Sequence, residues 1–430
     1  MEECEKMKPE IKQRIEQIKA GQVPDGYKRT KAGVVPVEWE EKRIGDVLTQ
    51  RKTLMCITED APLLSFTIEE GVIDPEDKKS NKRDFLIKDM STKKFALTEV
   101  GDIIYNPANL KFGAIHRNNL KRGVVSPIYG IFYGEQNSEF MGYLLHNQRF
   151  IDYAKIYTEG TVEKLKTLKA DTFLKLKITL PPIEEQEKIV EILSTQDRII
   201  ELQQKKIDEM QKLKKVFLKK MFPQKGEKTP ESRFPQFVGD WEQRKLNDVV
   251  KVYDGTHQTP QYQDNGVMFV SVEDIKTLTS KKYISKEDYE KNFSVVPEAG
   301  DVLMTRIGDI GTVNIVRTNL PLAYYVSLAL LKNKHMHPEY LKANIMAPAF
   351  QNELWLRTLH TAYPKKINKD EIGKCLISVA PTKEEQTVVG NCFEKLDNLI
   401  VAQLHMLEEQ KKYKEGLMKL LLTGIARVDI

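Results

Sequence analysis

The chain carries the same pattern twice. Pro-x-x-Glu-Glu-Gln occurs at Pro181–Gln186 and again at Pro381–Gln386. The same offset lays Asp197 on Asp397, Ile200 on Ile400, Lys214 on Lys414 and Lys219 on Lys419. Upstream, with small slips, Trp39-Glu-Glu-Lys-Arg-Ile-Gly-Asp-Val47 matches Trp241-Glu-Gln-Arg-Lys-Leu-Asn-Asp-Val249. Gly101-Asp-Ile-Ile104 likewise matches Gly300-Asp-Val-Leu303, and Val125-Ser126 matches Val326-Ser327. Any one of these could arise by chance; the same order at nearly constant spacing does not. The unit is far longer than the period of a solenoid, so it is a duplicated domain rather than an array.

Each copy has two parts. A block of short alternating runs, such as Val267-Met-Phe-Val-Ser-Val272 and Asp301-Val-Leu-Met-Thr305, is punctuated by Gly, Asn and Pro and reads as strands and loops. A long proline-free stretch with an acidic first turn then begins at each Pro-x-x-Glu-Glu-Gln, as a helix would. A seven-residue frame puts Leu193, Ile200, Ile207 and Met221 at a, with Ile189, Met210 and Phe217 at d. In the second copy it gives Phe393, Ile400, Leu407 and Leu421 at a, with Val389, Leu396 and Leu417 at d. That is a coiled-coil seam. The interruptions match as well: Lys214 and Lys414 break the a row, and Gln203 and Gln403 break the d row.

Charge gives the orientation. Both stretches start acidic (Glu184, Glu185, Glu187 and Glu191; Glu384 and Glu385). Both end basic (Lys212, Lys214, Lys215, Lys219 and Lys220; Lys411, Lys412, Lys414 and Lys419). Each is favoured by its own dipole, and antiparallel packing sets acid against base. A helix of about 39 residues at about 1.5 Å per residue is roughly 58 Å long. The expected architecture is α+β: two similar mixed α/β heads joined by two long antiparallel coiled-coil helices, an internal repeat with a pseudo-twofold axis. The expected divisions are an N-terminal helical segment (1–26), the first head (27–180), a central helix (181–226), the second head (227–380) and a distal helix (381–430).

Composition narrows the class. A chain of 430 residues with 40% hydrophobic and 30% charged content is globular and not disordered. No apolar run reaches the roughly 18 residues of a membrane span. The polar start Met1-Glu-Glu-Cys-Glu-Lys has no apolar leader region. Cys4, Cys56, Cys375 and Cys392 are scattered, which argues against a zinc site or a disulfide frame. A cytoplasmic location is expected. The net charge of +5 is mildly basic and only weakly favours nucleic acid.

Two similar but non-identical heads on a rigid rod suit a two-part target on a duplex. The layout closely resembles the specificity subunits of type I restriction–modification systems, over nearly the whole chain. The residues that carry the resemblance are Gly26-Tyr-Lys-Arg-Thr30 with Val35-Pro-Val-Glu-Trp39, Leu180-Pro-Pro-Ile-Glu-Glu-Gln186 and Leu420-Leu-Leu-Thr-Gly424. Within the heads they are Tyr105-Asn-Pro107, Phe112-Gly-Ala114, Val125-Ser-Pro127 and Asp254-Gly-Thr-His-Gln-Thr-Pro-Gln-Tyr262. Copy two departs at Thr382, where copy one has Pro182. The resemblance implies target-recognition domains as heads, double-stranded DNA as ligand and two modification methyltransferase subunits as partners. It further implies restriction/translocase subunits that join the complex, and helices that serve as both spacer and docking surface. S-adenosylmethionine, ATP and Mg then belong to the partner subunits, and this chain carries no cofactor or metal.

Phosphates are held by Lys, Arg, Ser, Thr and Asn, and base edges are read by Arg, Lys, Asn, Gln, Glu and Asp. In the first head the candidates are the basic turn Arg117, Lys121 and Arg122, and Thr161, Lys164 and Lys166 in the loop 158–166. In the second they are Thr256, His257 and Arg306, and Lys365 and Lys366 in the aligned loop 360–366. Each is also an ordinary solvated surface charge until geometry says otherwise. Lys78, Lys79, Lys82 and Arg83 read as a solvated charge run.

No catalytic set is visible. Asn106-Pro-Ala-Asn109 lacks the second proline and the aromatic of an adenine-methyltransferase element. There is no Gly-x-x-x-x-Gly-Lys-Ser/Thr loop and no His-Glu-x-x-His spacing. A non-catalytic, sequence-reading subunit is the expectation. The other readings are a stand-alone two-headed DNA-binding protein such as a repressor, a coiled-coil scaffold without DNA, and an enzyme with an unrecognised site.

Overall fold

A computed structural model describes residues 8–30, 33–78, 93–159, 166–258, 260–333 and 335–428. It divides into two compact units, one formed by 1–201 with 408–430, the other by 202–407. The division passes through both long helices, Ile183–Lys220 and Lys383–Leu421, so each unit owns part of each helix.

The duplication is visible strand by strand. The first unit has a four-stranded antiparallel sheet in the order Ile115–Arg117, Ile103–Tyr105, Gly130–Tyr133, Thr49–Gln50. The second has the same sheet as Val313–Ile315, Val302–Thr305, Leu328–Asn333, Val250–Asp254. Each unit adds a two-stranded ribbon beside its long-helix start: Glu40–Arg43 with Lys177–Leu180, and Glu242–Lys245 with Leu376–Val379. The heads differ in a three-stranded sheet. The first pairs Gly123–Val125, Phe95–Thr98 and Leu54–Met55 antiparallel, whereas the second includes a parallel pair, Val267–Val270 with Leu322–Tyr324.

Among the described residues the alternating runs concealed three helices that recur in both heads, and the second head adds Leu246–Val249 and Lys286–Asn292. In the first, Asn137 and Asn147 accept hydrogen bonds from backbone N–H groups and start Ser138–His146 and Gln148–Lys155. In the second, Pro338 and Pro348 occupy the first helical positions of Pro338–Met346 and Pro348–Arg357. Short helices Ala170–Lys175 and Lys369–Lys374 follow. Another helix, Pro9–Lys19, lies within the expected N-terminal segment, and Arg14 donates to the Ile425 carbonyl (3.0 Å).

A buried aspartate at the same sheet position is neutralised differently in each head. Asp102 takes a two-pronged pair from Arg51 (2.7 and 2.9 Å), whose guanidinium lies 4.6 Å from the Tyr133 ring centroid. Asp301 takes Lys332 (2.9 Å). Through the strand registers Arg51 corresponds to Tyr253 and Tyr133 to Lys332. Cation and aromatic have exchanged strands while the aspartate has stayed. A buried charge needs a partner wherever it comes from.

The second glutamate of each repeated hexapeptide is a clamp. Glu185 accepts from Trp39 Nε1 (3.0 Å) and from Arg427 (2.9 and 3.2 Å). Glu385 accepts from Trp241 Nε1 (3.2 Å) and from Arg233 (2.7 and 2.8 Å). Both carboxylates are about 1% or less exposed. The repeated tryptophan and the repeated glutamate are thus one device used twice.

The helix pairing is antiparallel within each unit. In the second, Gln203 Nε2 donates to Gln403 Oε1 (2.9 Å) and Lys214 pairs with Asp397. In the first, Gln196 Nε2 donates to Gln410 Oε1 (2.6 Å) and Lys414 pairs with Asp197. Ile189 and Leu193 share that unit's core with Leu421 and Leu422. The glutamine breaks of the seam, Gln203 and Gln403, therefore meet each other, and the lysine breaks meet the repeated aspartates. These cross-helix ion pairs join Lys214 and Lys414 of the basic runs to the repeated aspartates rather than to the acidic first turns, where Glu185 and Glu385 are committed to the clamps.

The seam positions divide into two kinds. Ile189, Leu193, Val389 and Phe393 are buried in the heads' cores, with Phe217 and Leu417 packed against them. Ile207, Ile400 and Leu407 are buried mid-helix, while Ile200, Met210 and Leu396 are half-buried. In the second unit, the Gln203–Gln403 register places Ile207 across from Ile400.

Candidate nucleic-acid interface

Three loops of the second head are tied into one patch. The first is 255–258, after the edge strand Val250–Asp254. A Cβ at Gly255 would lie 2.5 Å from the carbonyl oxygens of Tyr324 and Tyr325, so only glycine lets the chain pass here. Thr256 then donates its N–H to Tyr324 and accepts from Val326. The second is the turn 306–311, with Gly308 at φ 82° and open space around it. The third is 358–367: Leu359 N donates to Lys366 O (2.8 Å), Gly308 N to Lys365 O (2.8 Å) and Ile367 N to Arg306 O (3.0 Å).

Arg306 is the tie. Its side chain is 7% exposed, pairs with Asp254 at the root of the first loop, and donates Nε to the Ile367 carbonyl (3.0 Å) at the root of the third. The guanidinium is fully committed inside the protein, so Arg306 positions the loops and is not itself turned to solvent. Arg306, a candidate for DNA contact, is therefore placed as an internal brace of the patch. Thr256, His257, Lys365 and Lys366 are brought together around it. The side chain of His257 is 72% exposed, 4.0 Å from Asp254. Lys365 and Lys366 are exposed, and no ion pair holds either among the described residues.

The first head repeats the scheme in part. The turn 106–113 begins with Asn106 Oδ1 accepting from Ala108 N (3.0 Å). It is tied to the last loop by Leu168 N donating to Pro107 O (3.0 Å) and Tyr105 Oη donating to Leu168 O (2.8 Å). Glu159 and Thr167 bridge antiparallel with paired backbone bonds (2.9 and 3.0 Å), at the place where Leu359 and Lys366 bridge in the second head through the single bond from Leu359 N. Lys166 is half-buried at this closure. Thr161 and Lys164, together with Lys79, Lys82 and Arg83, lie outside the described residues.

The basic turn of the first head is elsewhere. Arg117 stands at the far end of the Ile115–Arg117 strand from the 106–113 turn. It donates to Ser138 Oγ (3.0 Å) and lines a cleft with Glu69, Glu139, Tyr143, His146 and Asp197. Lys121 pairs with Asp74 (2.7 Å), and Arg122 with Glu99 (3.0 Å). These cations are neutralised by neighbours and do not join the loop patch. In the same cleft the His116 and His146 rings lie 4.3 Å apart. Burial, then the neighbouring imidazole, pushes His116 down to about 4, and burial also lowers His146.

Sequence reasoning passed over Asp254 as the brace of Arg306, and Tyr363 of the third loop as the most exposed large apolar side chain among the described residues. The aspartate stood in the quoted Asp-Gly-Thr-His run, where a strand end followed by glycine signals a loop root. No pattern in the sequence marked the tyrosine. Among the described residues there is no group of three or more His, Cys, Asp or Glu side chains placed to hold a metal, and no helix is long and apolar enough to cross a membrane.

Two repeated α+β heads, each with a long helix and a braced loop set, define a duplicated two-headed reader. A family model for the type I restriction modification DNA specificity domain matches residues 36–212 and again 239–411. The chain belongs to that family, and its role is DNA sequence specificity. It is 25% identical over 417 residues to the type I restriction enzyme MjaVIII specificity subunit of Methanocaldococcus jannaschii, covering 92% of this chain and 94% of that one. It is 24% identical over 438 residues to the putative MjaX specificity subunit of the same organism, covering 94% and 97%. Among solved structures, the type I restriction–modification S subunit from M. genitalium aligns at TM-score 0.54 with 13% identity, over 91% of this chain and 96% of that one. A chain from a study of complex assembly and conformational transition of the type I R-M system aligns at 0.57 with 17% identity, over 91% and 99%. These two structural likenesses concern the fold.

Proposed function

We propose that this chain is the reading subunit of a type I restriction–modification assembly. Each head reads one part of an asymmetric two-part target, and the helix pair fixes the gap between the parts. Two modification methyltransferase subunits dock on it and restriction/translocase subunits join them, in the cytoplasm. S-adenosylmethionine, ATP and Mg serve the partners, and this chain contributes recognition rather than catalysis. The observation that carries the reading is the braced loop patch of the second head, where Thr256, His257, Lys365 and Lys366 converge on a rigid base. Its counterpart in the first head has the same closure but different residues, as two unlike half-sites require.

The test is salt-dependent binding of target duplex by the assembled methyltransferase. Removing one cation that neutralises a phosphate lowers the slope of log K against log salt by about 0.9. Lys365→Ala and Lys366→Ala should each reduce the slope by about that amount, and Lys121→Ala, whose ammonium is already paired, should leave it unchanged. A binding constant that ignores salt, or equal effects of all three changes, would sink the reading.

A further inference from the structure

We propose that Tyr363 is an aromatic finger of the second head, stacking its ring on a base of the half-site that this head reads. The inference rests on the DNA-reading role above and deepens it. Tyr363 is 103% exposed, against 81% for the next most exposed large apolar residue, Val238. It sits in a loop that is anchored at both ends: Leu359 bonds to Lys366, Gly308 to Lys365, and Ile367 to Arg306. Only the tip, Thr361 to Pro364, stands clear of these bonds. At the base of the loop His360 Nε2 lies 2.9 Å from the Trp355 carbonyl, and its ring is 4.9 Å from the Trp355 ring. The finger therefore projects from a stiff mount.

A tyrosine ring wholly in water gives up the gain of burying it, about 1.5–3 kcal/mol for a large side chain. A partner surface that covers the ring reclaims that gain, and the neighbours say which kind it suits. Lys365 and Lys366 follow the ring along the loop, both exposed and without an ion pair among the described residues, and two such cations suit the phosphates beside a base. The open turn at Gly308 leaves room for a backbone to come close. Exposed Asp309, whose carboxylate already accepts from Thr312 Oγ1 (2.7 Å), offers a further acceptor for a base amino group. The bases of a duplex are stacked on one another, so the ring meets one by wedging into a base step while cations beside it hold the backbone, the physical pattern of an intercalating side chain.

The experiment uses the full chain assembled with its methyltransferase subunits, on a duplex carrying the mapped target. 2-Aminopurine is placed singly across the second head's half-site and its flanks, sparing the methylated adenine. Stacking on an aromatic is worth about 1–3 kcal/mol per base, so Tyr363→Ala should weaken binding by about 5- to 150-fold. Tyr363→Phe and Tyr363→Trp should stay close to wild type. One base step should change its fluorescence on binding, and that change should vanish in Tyr363→Ala but persist in Lys365→Ala. Binding by Tyr363→Ala at wild-type strength overturns the inference. So does a loss in Tyr363→Phe equal to that in Tyr363→Ala, which would mean a hydroxyl contact. Weaker binding without any fluorescence signal overturns it too, since the ring would then lie on the backbone. If Lys365→Ala and Lys366→Ala weaken binding while Tyr363→Ala does not, only the finger falls. If the lysine changes are silent as well, the DNA-reading role of the patch falls with it.

Discussion

Replacing Glu385 by Gln perturbs a single carboxylate and tests the clamp that joins the repeated hexapeptide to its head. Glu385 is 1% exposed, and it receives both forks of Arg233, whose side chain is 14% exposed. Removing one partner of a buried ion pair costs about 3–5 kcal/mol, because the other charge is left uncompensated. Glutamine retains an acceptor for Trp241 Nε1, so the lower end, about 3 kcal/mol, applies. In a unit of 150–250 residues each kcal/mol shifts Tm by about 2–4 °C, which gives a drop of roughly 6–12 °C in the transition of the unit spanning Leu202–Leu407. Calorimetry of the full chain reads it directly. Arg233→Met combined with Glu385→Leu should cost less than the sum of the single changes, since neither charge is then orphaned. A shift under about 0.5 kcal/mol for Glu385→Gln, or strict additivity in the double variant, would refute the reasoning. Glu185→Gln should cost less, because Arg427 is 30% exposed and water compensates part of the loss.

Acid should loosen the first unit before the second. His116 is held neutral in the fold, with its pKa pushed down to about 4, so below about pH 6.5 the unfolded chain binds the proton that the folded one refuses. Stability is full above about 6.5 and falls as pH drops toward 4, by up to about 2 kcal/mol at pH 5; His116→Phe should flatten that slope in urea titrations run from pH 7 to 5. Asp397 behaves oppositely in range: burial raises its pKa, but Lys214 and Lys342 more than offset this, leaving it below its usual value. Its contribution is intact above about pH 3.9 and is lost progressively as pH falls below that, so Asp397→Asn should lower Tm at pH 7 and lower it by less as the pH is taken below about 3.9. In the seam, Ile207→Asp should be more damaging than Ile200→Asp, because Ile207 is 0% exposed and Ile200 is only half-buried. Loss of methyltransferase assembly by gel filtration checks the order.

The duplication, the helix pair and its antiparallel sense were legible because periodicity and end charge act over many residues at once. The polar breaks at Gln203 and Gln403 were legible as positions, and their meeting across the pair supplied the reason for them. The clamp was not, since Trp39 and Glu185, or Trp241 and Glu385, are far apart in sequence and only the fold brings them into contact. The head helices hid behind short runs because their start signals, Asn137 and Asn147 or Pro338 and Pro348, resemble turn signals. For the site, residue type named Thr256, His257, Lys365 and Lys366, which the loops gather into one patch, and with the same weight Arg306, which the fold turns inward to Asp254. A guanidinium in a loop looks the same in sequence whether it faces phosphate or Asp254. The same limit applied to Arg117, Lys121 and Arg122, whose acidic partners come from other strands.

The most direct test of the central claim is a genome-wide map of adenine methylation in the source cell, with and without this gene and with the second-head loop residues Lys365 and Lys366 exchanged for alanine. The account requires an asymmetric two-part motif with a fixed gap that loses methylation on deletion, and a loop variant whose methylation of that motif is weakened while the gap length stays fixed. Methylation that persists unchanged without the gene would contradict it.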